Sequence, residues 1–244
     1  MKSPPVIKRF VDILDNPPQP NEKLRALMAR KAPWETSAPL IMAIDASGKA
    51  IGVAEGRAGE TPRLYSMHFK SKNDEPEDIG GKVMAWFSVR LEELNPDVVY
   101  IEAPIEPGAP GVTTTPETMK ILIGLWFAMA SECKSRGWAV RKANVQTVRT
   151  GFIGCGRVFM PKGSPKGAGS KEAKRRVFEM CRLLGWAPTD RDASDAGALF
   201  WYACTRYAPN LAAPITSIMH AKVATTIRGV DIGGAEALFK RARA

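Results

Sequence analysis

Two short apolar runs, each ending in a carboxylate, constrain this chain more than any other feature. LIMAIDA at 40–46 and VVYIE at 98–102 are long enough for one buried strand each and too short for a buried helix. Around the first run, Ala50–Gly56 and Leu64–Phe69 read as further short strands, and Ser47–Gly48–Lys49 as a tight turn that folds the first two strands into an antiparallel hairpin. Between the two runs the pattern changes period. Ile79, Val83, Phe87, Leu91 and Leu94 recur at three- and four-residue steps, so Glu77–Leu94 is expected to be a helix, stopped by Asn95–Pro96.

Downstream, Pro104–Thr115 is a Pro/Gly/Thr loop, and Thr115 caps a helix that begins with Pro116 and runs to about Arg136. Trp138–Lys142 reads as a strand and Asn144–Thr150 as a short helix. Gly151–Gly169 holds six glycines and reads as a mobile charged loop. Ser170–Leu184 is strongly amphipathic, with Ala173, Val177, Met180, Cys181 and Leu184 on one face, and a last helix spans about Asp192–Arg206. Before the first strand, Val6–Leu14 and Glu22–Lys31 are helical candidates split by DNPPQP at 15–20. The organisation is thus a helical extension (1–37), a main domain (38–206) and a basic tail (207–244). Periodicity alone gives an α/β domain with an antiparallel start.

Charge narrows the partner. The net charge is +10, but it is unevenly placed. Residues 1–31 balance at +4, residues 157–182 at +6 and residues 205–244 at +4, so the remainder sums to −4. An acidic body with basic segments points to a polyanion partner and an acidic site kept apart from the binding surface; a merely solubilising distribution is the alternative. No run reaches the roughly 18 apolar residues of a membrane span, and the N-terminus lacks the apolar core of a secretory signal, which points to the cytoplasm. The four cysteines form no CxxC pair and read as reduced, mostly buried thiols.

Four acids stand at element ends. Asp45 closes the first strand and Glu102 the fourth, where alternation puts Glu102 on the same side as Val98 and Tyr100. Asp192 and Asp195, in DASDAGALFWYA, are three apart at a helix start and share a face, with Leu199 and Ala203 continuing the stripe below Asp195. Taken singly, Asp45 can start a turn, Asp192 can be an N-cap and Glu102 can lie on a rim. Taken together, adjacent strand ends and one helix start can bring four carboxylates to a single pocket. Such charges repel unless cations neutralise them, and hard oxygen ligands favour Mg²⁺, with Mn²⁺ as a substitute, over zinc.

In order and spacing, Asp45 in IDASGKAIGVA, Glu102 in YIEAP and the pair in DASDAGAL resemble the motifs of RuvC-like Holliday junction resolvases, and GSKEAKRRVFEMCRLLGW resembles the basic helix preceding the last pair in that family. The resemblance spans roughly residues 40–206. It implies a ribonuclease H-like fold: a mixed five-stranded sheet, three antiparallel strands followed by parallel ones, flanked by helices. It also implies two-metal hydrolysis of phosphodiester bonds in branched DNA by Asp45, Glu102, Asp192 and Asp195, acting in a homodimer, with bacteriophage versions of the family showing similar extensions.

The basic segment fits that partner. Lys171, Lys174 and Arg175 fall in the first two turns of their helix, where the dipole disfavours cations, and Arg157, Lys162 and Lys166 precede them on the glycine-rich stretch. All six are candidate phosphate contacts, against the plainer reading of a solvated helix face. Competing functions are a ribonuclease H-like nuclease acting on other DNA or on RNA–DNA structures, a non-catalytic DNA-binding module of the same fold, and an actin-like ATPase, which needs a second such half and more chain.

Overall fold

A computed structural model describes residues 38–104 and 115–213; the two N-terminal helical candidates and most of the loop at 104–115 and of the basic tail lie outside the described residues. The chain divides into two units, Met1–Ser37 and Ala38–Ala244.

The second unit is built on five strands in the order β3-β2-β1-β4-β5. β1 (Leu40–Ala46), β2 (Ala50–Arg57) and β3 (Arg63–His68) form an antiparallel meander. β4 (Val98–Glu102) joins the other edge of β1 in parallel, and β5 (Val140–Ala143) extends β4 in parallel. Helix α1 (Pro76–Leu94) links β3 to β4, and α2 (Pro116–Ser135) links β4 to β5 across the 105–114 segment. α3 (Val145–Ile153), α4 (Ala168–Leu183) and α5 (Arg191–Tyr207) follow. This strand order, three antiparallel then parallel, is the ribonuclease H-like fold, as the sequence led us to expect.

Both faces of the sheet are covered, and strand alternation decides which residue meets which layer. Met42, Ile44, Val99 and Ile101 pack with Val83, Phe87, Leu125 and Met129 of α1 and α2. Ile41, Ala43, Val98 and Tyr100 pack on the other side with Val148, Phe152, Val177, Leu199 and Phe200 of α3, α4 and α5. The next residues with this second orientation are Asp45 and Glu102. They lie one step beyond the paired Ile44 and Ile101 of two adjacent parallel strands.

Two boundaries differ from the sequence reading. α3 runs on to Ile153 and α4 begins at Ala168, so the connection between them is 154–167 rather than the whole glycine-rich stretch. The glycines there are not all breakers. A Cβ on Gly151 would meet the Trp201 ring at 2.9 Å, and one on Gly169 would lie 2.3 Å from the Val158 carbonyl oxygen, so both are helical glycines chosen for close packing.

One ionic network ties α1 to the sheet. Glu55 of β2 is buried, and Arg90 of α1 grips it with Nε donating to Oε1 at 2.8 Å and Nη2 donating to Oε2 at 2.6 Å. The Tyr65 hydroxyl donates to the same Oε1 at 2.6 Å. Removing one partner of such a pair leaves an unmatched buried charge. Arg90→Met is therefore expected to lower unfolding free energy by about 3 kcal/mol, while the paired change Glu55→Leu with Arg90→Met costs much less. Urea denaturation of the three proteins measures both, and equal losses in the single and double variants would contradict the account.

Candidate active site

The site forms where α5 lands on the sheet. Asp190 is the N-cap of α5, accepting the Ala193 N–H at 2.9 Å, and its Oδ1 also accepts the Ser66 hydroxyl at 2.6 Å, which fastens the helix start to β3. Directly across the hairpin from Asp45 stands Gly52. A Cβ there would lie 2.0 Å from the Asp192 carbonyl oxygen, so the first turn of α5 rests on bare strand backbone. Small residues on both surfaces, Ala43 and Ala54 below and Ala193 and Ala196 above, carry the close approach along the core.

That approach brings the acids together. Carboxylate oxygens of Asp45, Asp192 and Asp195 all lie within 4.8 Å of one another, with Asp45 and Asp195 buried and Asp192 half-buried. Glu102, half-buried at the end of β4, shares a hydrogen bond with the Asp45 carboxyl. Burial and then the charge of Asp195 push the Asp45 pKa up to about 6, although the Lys174 ammonium pulls the other way. Burial, followed by the charge of Asp45, holds Glu102 well above the usual carboxylate range, so Glu102 carries the proton that the pair shares.

Two cations enter the cluster from the neighbouring helices. Lys174 Nζ of α4 lies 2.7 Å from Asp192 Oδ1 and 3.3 Å from Asp195 Oδ2. Arg149 of α3 places Nη2 3.2 Å and 3.3 Å from the two oxygens of Asp195. Burial disfavours the Lys174 ammonium, but the charge of Asp195, the hydrogen bond to Asp192 and the charge of Asp45 outweigh it and raise its pKa above the usual lysine value. The clustered ligand atoms are all carboxylate oxygens, the donor set of a hard divalent cation. Asp45, Asp192 and Asp195 could therefore hold a divalent cation, with Glu102 beside them.

Of the residues singled out from the sequence, the structure gathers Asp45, Glu102, Asp192, Asp195 and Lys174 in one place. Lys174 faces the acids here rather than an outer surface. Arg157, Lys162 and Lys166 stand exposed on the 154–167 connection, and Lys171 is exposed at the start of α4. Arg175 is exposed and paired on its own helix, with Glu172 at 2.7 Å and with Glu179. The N-cap role available to Asp192 belongs to Asp190 instead. Arg149, Gly52 and Asp190 escaped the sequence reading. Only Asp190 left a local signal, an Asp three residues ahead of a helical Ala in TDRDASDA.

Comparisons with known proteins found distant likenesses. Thermus thermophilus RuvC is similar at 17% identity over 69% of this chain and 97% of that chain, with a TM-score of 0.47. T. thermophilus RuvC in complex with Holliday junction substrate is similar at 15% identity over 70% and 96%, with a TM-score of 0.49. The yeast mitochondrial Holliday junction resolvase is similar at 12% identity over 75% and 83%, with a TM-score of 0.41. These are distant likenesses of fold, and the strand order defines that fold without them. A family described as Antitoxin TacA 1-like matches residues 3–32, which lie outside the described residues. No curated protein matches the chain. No helix among the described residues is long and apolar enough to cross a membrane.

The raised Asp45 carboxyl makes a pH-dependent demand on stability. Between an unfolded value of 3.8 and a folded value of about 6, the folded state binds the extra proton, so stability falls as pH rises through that window. The full loss for this group is about 3 kcal/mol. Metal-free protein should therefore melt at a higher temperature at pH 5 than at pH 7.5 as far as this group decides it. Mn²⁺ should raise the melting temperature more at pH 7.5, and Asp45→Asn should flatten both trends. Calorimetry at the two pH values, with and without Mn²⁺, tests this; an Mn²⁺ shift that is equal at both would contradict it.

Proposed function

We propose that this chain is a metal-dependent endonuclease that hydrolyses phosphodiester bonds in branched DNA such as Holliday junctions. The observation that carries the hydrolytic reading is the convergence of Asp45, Asp192 and Asp195 oxygens within 4.8 Å, at the ends of a strand and a helix. Preference for branched DNA rests on the ordered motif resemblance. A non-catalytic binding module has no use for such a cluster, since like charges held together only cost stability.

In this reading Asp45, Glu102, Asp192 and Asp195 would hold Mg²⁺, for which Mn²⁺ would substitute. The bound cations would supply an activated water and charge neutralisation at the scissile phosphate. Asp45 supplies a carboxylate from a rigid strand end, and Asp192 and Asp195 supply theirs from a helix start that Asp190 and Gly52 fix. Glu102, hydrogen-bonded to Asp45, would add a fourth carboxylate to the set. Arg149 holds the Asp195 carboxylate in orientation from the side. Lys174, released from Asp192, can turn its ammonium to a phosphate oxygen. Lys162, Lys166, Lys171, Arg157 and Arg175 line the approach for the flanking backbone, which orients the strand without reading sequence. Action in the cytoplasm fits the sequence.

Asp45→Asn and Asp195→Asn should each reduce cleavage of a labelled four-way junction by about a hundred- to a thousandfold, the range for losing one group that stabilises the transition state, while leaving DNA affinity within a few-fold. Gel assays with Mg²⁺ measure both. Wild-type cleavage rates in either variant would remove the assignment.

The proposal includes a homodimer, because a four-way junction offers two equivalent strands to cut and a two-fold pair of sites matches that symmetry. α2 supports it: Ile121, Leu125 and Met129 cover the sheet, leaving Phe127 65% exposed and Ile123 39% exposed. Sedimentation equilibrium at micromolar concentration should show a dimer that Phe127→Glu dissociates. A wild-type monomer, with or without junction DNA, would rule it out.

A further inference from the structure

Beyond the phosphate contacts of its cations, the connection between α3 and α4 is unusual in composition and shape. From Gly154 to Lys171 the chain carries Arg157, Lys162, Lys166 and Lys171 and not one acid. All four cations are exposed, and none forms a salt bridge among the described residues. In their midst Phe159 is 90% exposed and Met160 42% exposed, the former the most exposed large apolar side chain among the described residues.

Phe159 is presented by a built loop. A Cβ on Gly156 would meet the Gln146 carbonyl oxygen of α3 at 2.9 Å, and one on Gly169 would meet the Val158 carbonyl at 2.3 Å, so both ends of the connection are seated against helices. Between them Ser164 folds back on Pro161, its N–H donating to the Pro161 carbonyl at 3.1 Å and its hydroxyl at 2.8 Å. The stems are also the two helices that send cations into the acidic cluster. Ile153 ends α3 four residues after Arg149, and Ala168 starts α4 six residues before Lys174. At 1.5 Å rise per residue the loop leaves its stems roughly 6 Å and 9 Å along the helix axes from those residues.

An aromatic ring left in water costs free energy unless something covers it. The four exposed cations that flank it in sequence, with no acid among them, repel a basic partner and attract a polyanion. A nucleic-acid strand offers both parts, phosphates for the cations and a flat base for the ring. Fully paired duplex keeps its base faces stacked inside, whereas unpaired bases expose theirs. We propose that Phe159, backed by Met160, is a stacking contact for an unpaired nucleobase of the DNA, with Arg157, Lys162, Lys166 and Lys171 holding the adjacent phosphates. This inference rests on the nucleic-acid reading of the preceding section and adds to it a contact that distinguishes unpaired from paired strands.

The test uses the full chain in buffer without divalent cations and measures affinity for three DNAs: a four-way junction with unpaired thymines at its centre, the same junction with abasic sites in their place, and a fully paired duplex. Phe159→Ala should weaken binding to the first about 5- to 150-fold, the range for losing one base–aromatic stack. It should leave the abasic junction and the duplex within about twofold of wild type. Phe159→Trp should retain affinity for the first DNA. Lys162→Ala with Lys166→Ala should weaken all three alike and flatten the salt dependence, since phosphates are common to all. If Phe159→Ala matches wild type on unpaired thymines while wild type binds them, the stacking proposal alone fails. If it lowers affinity equally on all three, Phe159 only supports the loop and the proposal fails. If it instead changes the sedimentation coefficient of free protein, the ring meets another copy of the chain and the proposal is overturned. Should wild type bind none of the three, the nucleic-acid reading fails with it.

Discussion

Everything at the acidic site depends on how near α5 can come to the sheet, and that is set by a missing side chain. Gly52 faces Asp45 across the β1–β2 hairpin, and the first turn of α5 occupies the space its Cβ would need. With alanine there, the 2.0 Å contact would have to open by more than 1 Å, lifting Asp192 and Asp195 away from Asp45. Sites of this kind tolerate misplacement of only about 0.5 Å. The Ala-rich undersurface of α5 continues the same demand, since a larger residue at Ala193 or Ala196 would tilt the helix off the strand end. Packing in the core and geometry at the site are thus one constraint.

Near approach has an electrostatic consequence. Two carboxylates about 5 Å apart repel by about 3 kcal/mol at an effective dielectric near 20, and three of them are held here within 4.8 Å. The chain answers in two ways. Glu102 keeps its proton and lends it to Asp45, and Lys174 and Arg149 place positive charge against Asp192 and Asp195. This offsets the repulsion and makes a metal-free fold tenable.

The sequence made the fold and the acids legible, and left their supports hidden, for physical reasons. Strand alternation and helix period follow from local backbone geometry, so the core-facing sides of β1, β4 and α5 could be read residue by residue, as could the clustering of Asp45 with Asp192 and Asp195. Glycine is ambiguous in a way those patterns are not. Gly151 and Gly169 look like breakers in a run of six, yet each sits inside a helix because a neighbour leaves no room for a Cβ, a fact about tertiary packing alone. Arg149 was invisible for a similar reason: nothing in VQTVRTGFI reveals that one arginine of a short helix reaches an aspartate 46 residues away.

Net charge is the coarsest of these signals, and the structure divides it. The +6 of residues 157–182 suggests one continuous phosphate-binding surface, but its cations have three different surroundings. Lys174 turns inward to the acids. Arg175 and Arg176 pair with Glu172 and, for Arg175, Glu179 on the outer face of α4. Such exposed helix pairs are weak because water screens them, so a phosphate can compete for those arginines at little cost. Arg157, Lys162, Lys166 and Lys171 make no salt bridge among the described residues, and they flank an exposed ring in the sequence. Neighbouring cations of one helix thus differ in partner: Lys174 is shared with the carboxylates, Arg175 and Arg176 are tied up by glutamates, and Arg182 makes no salt bridge among the described residues.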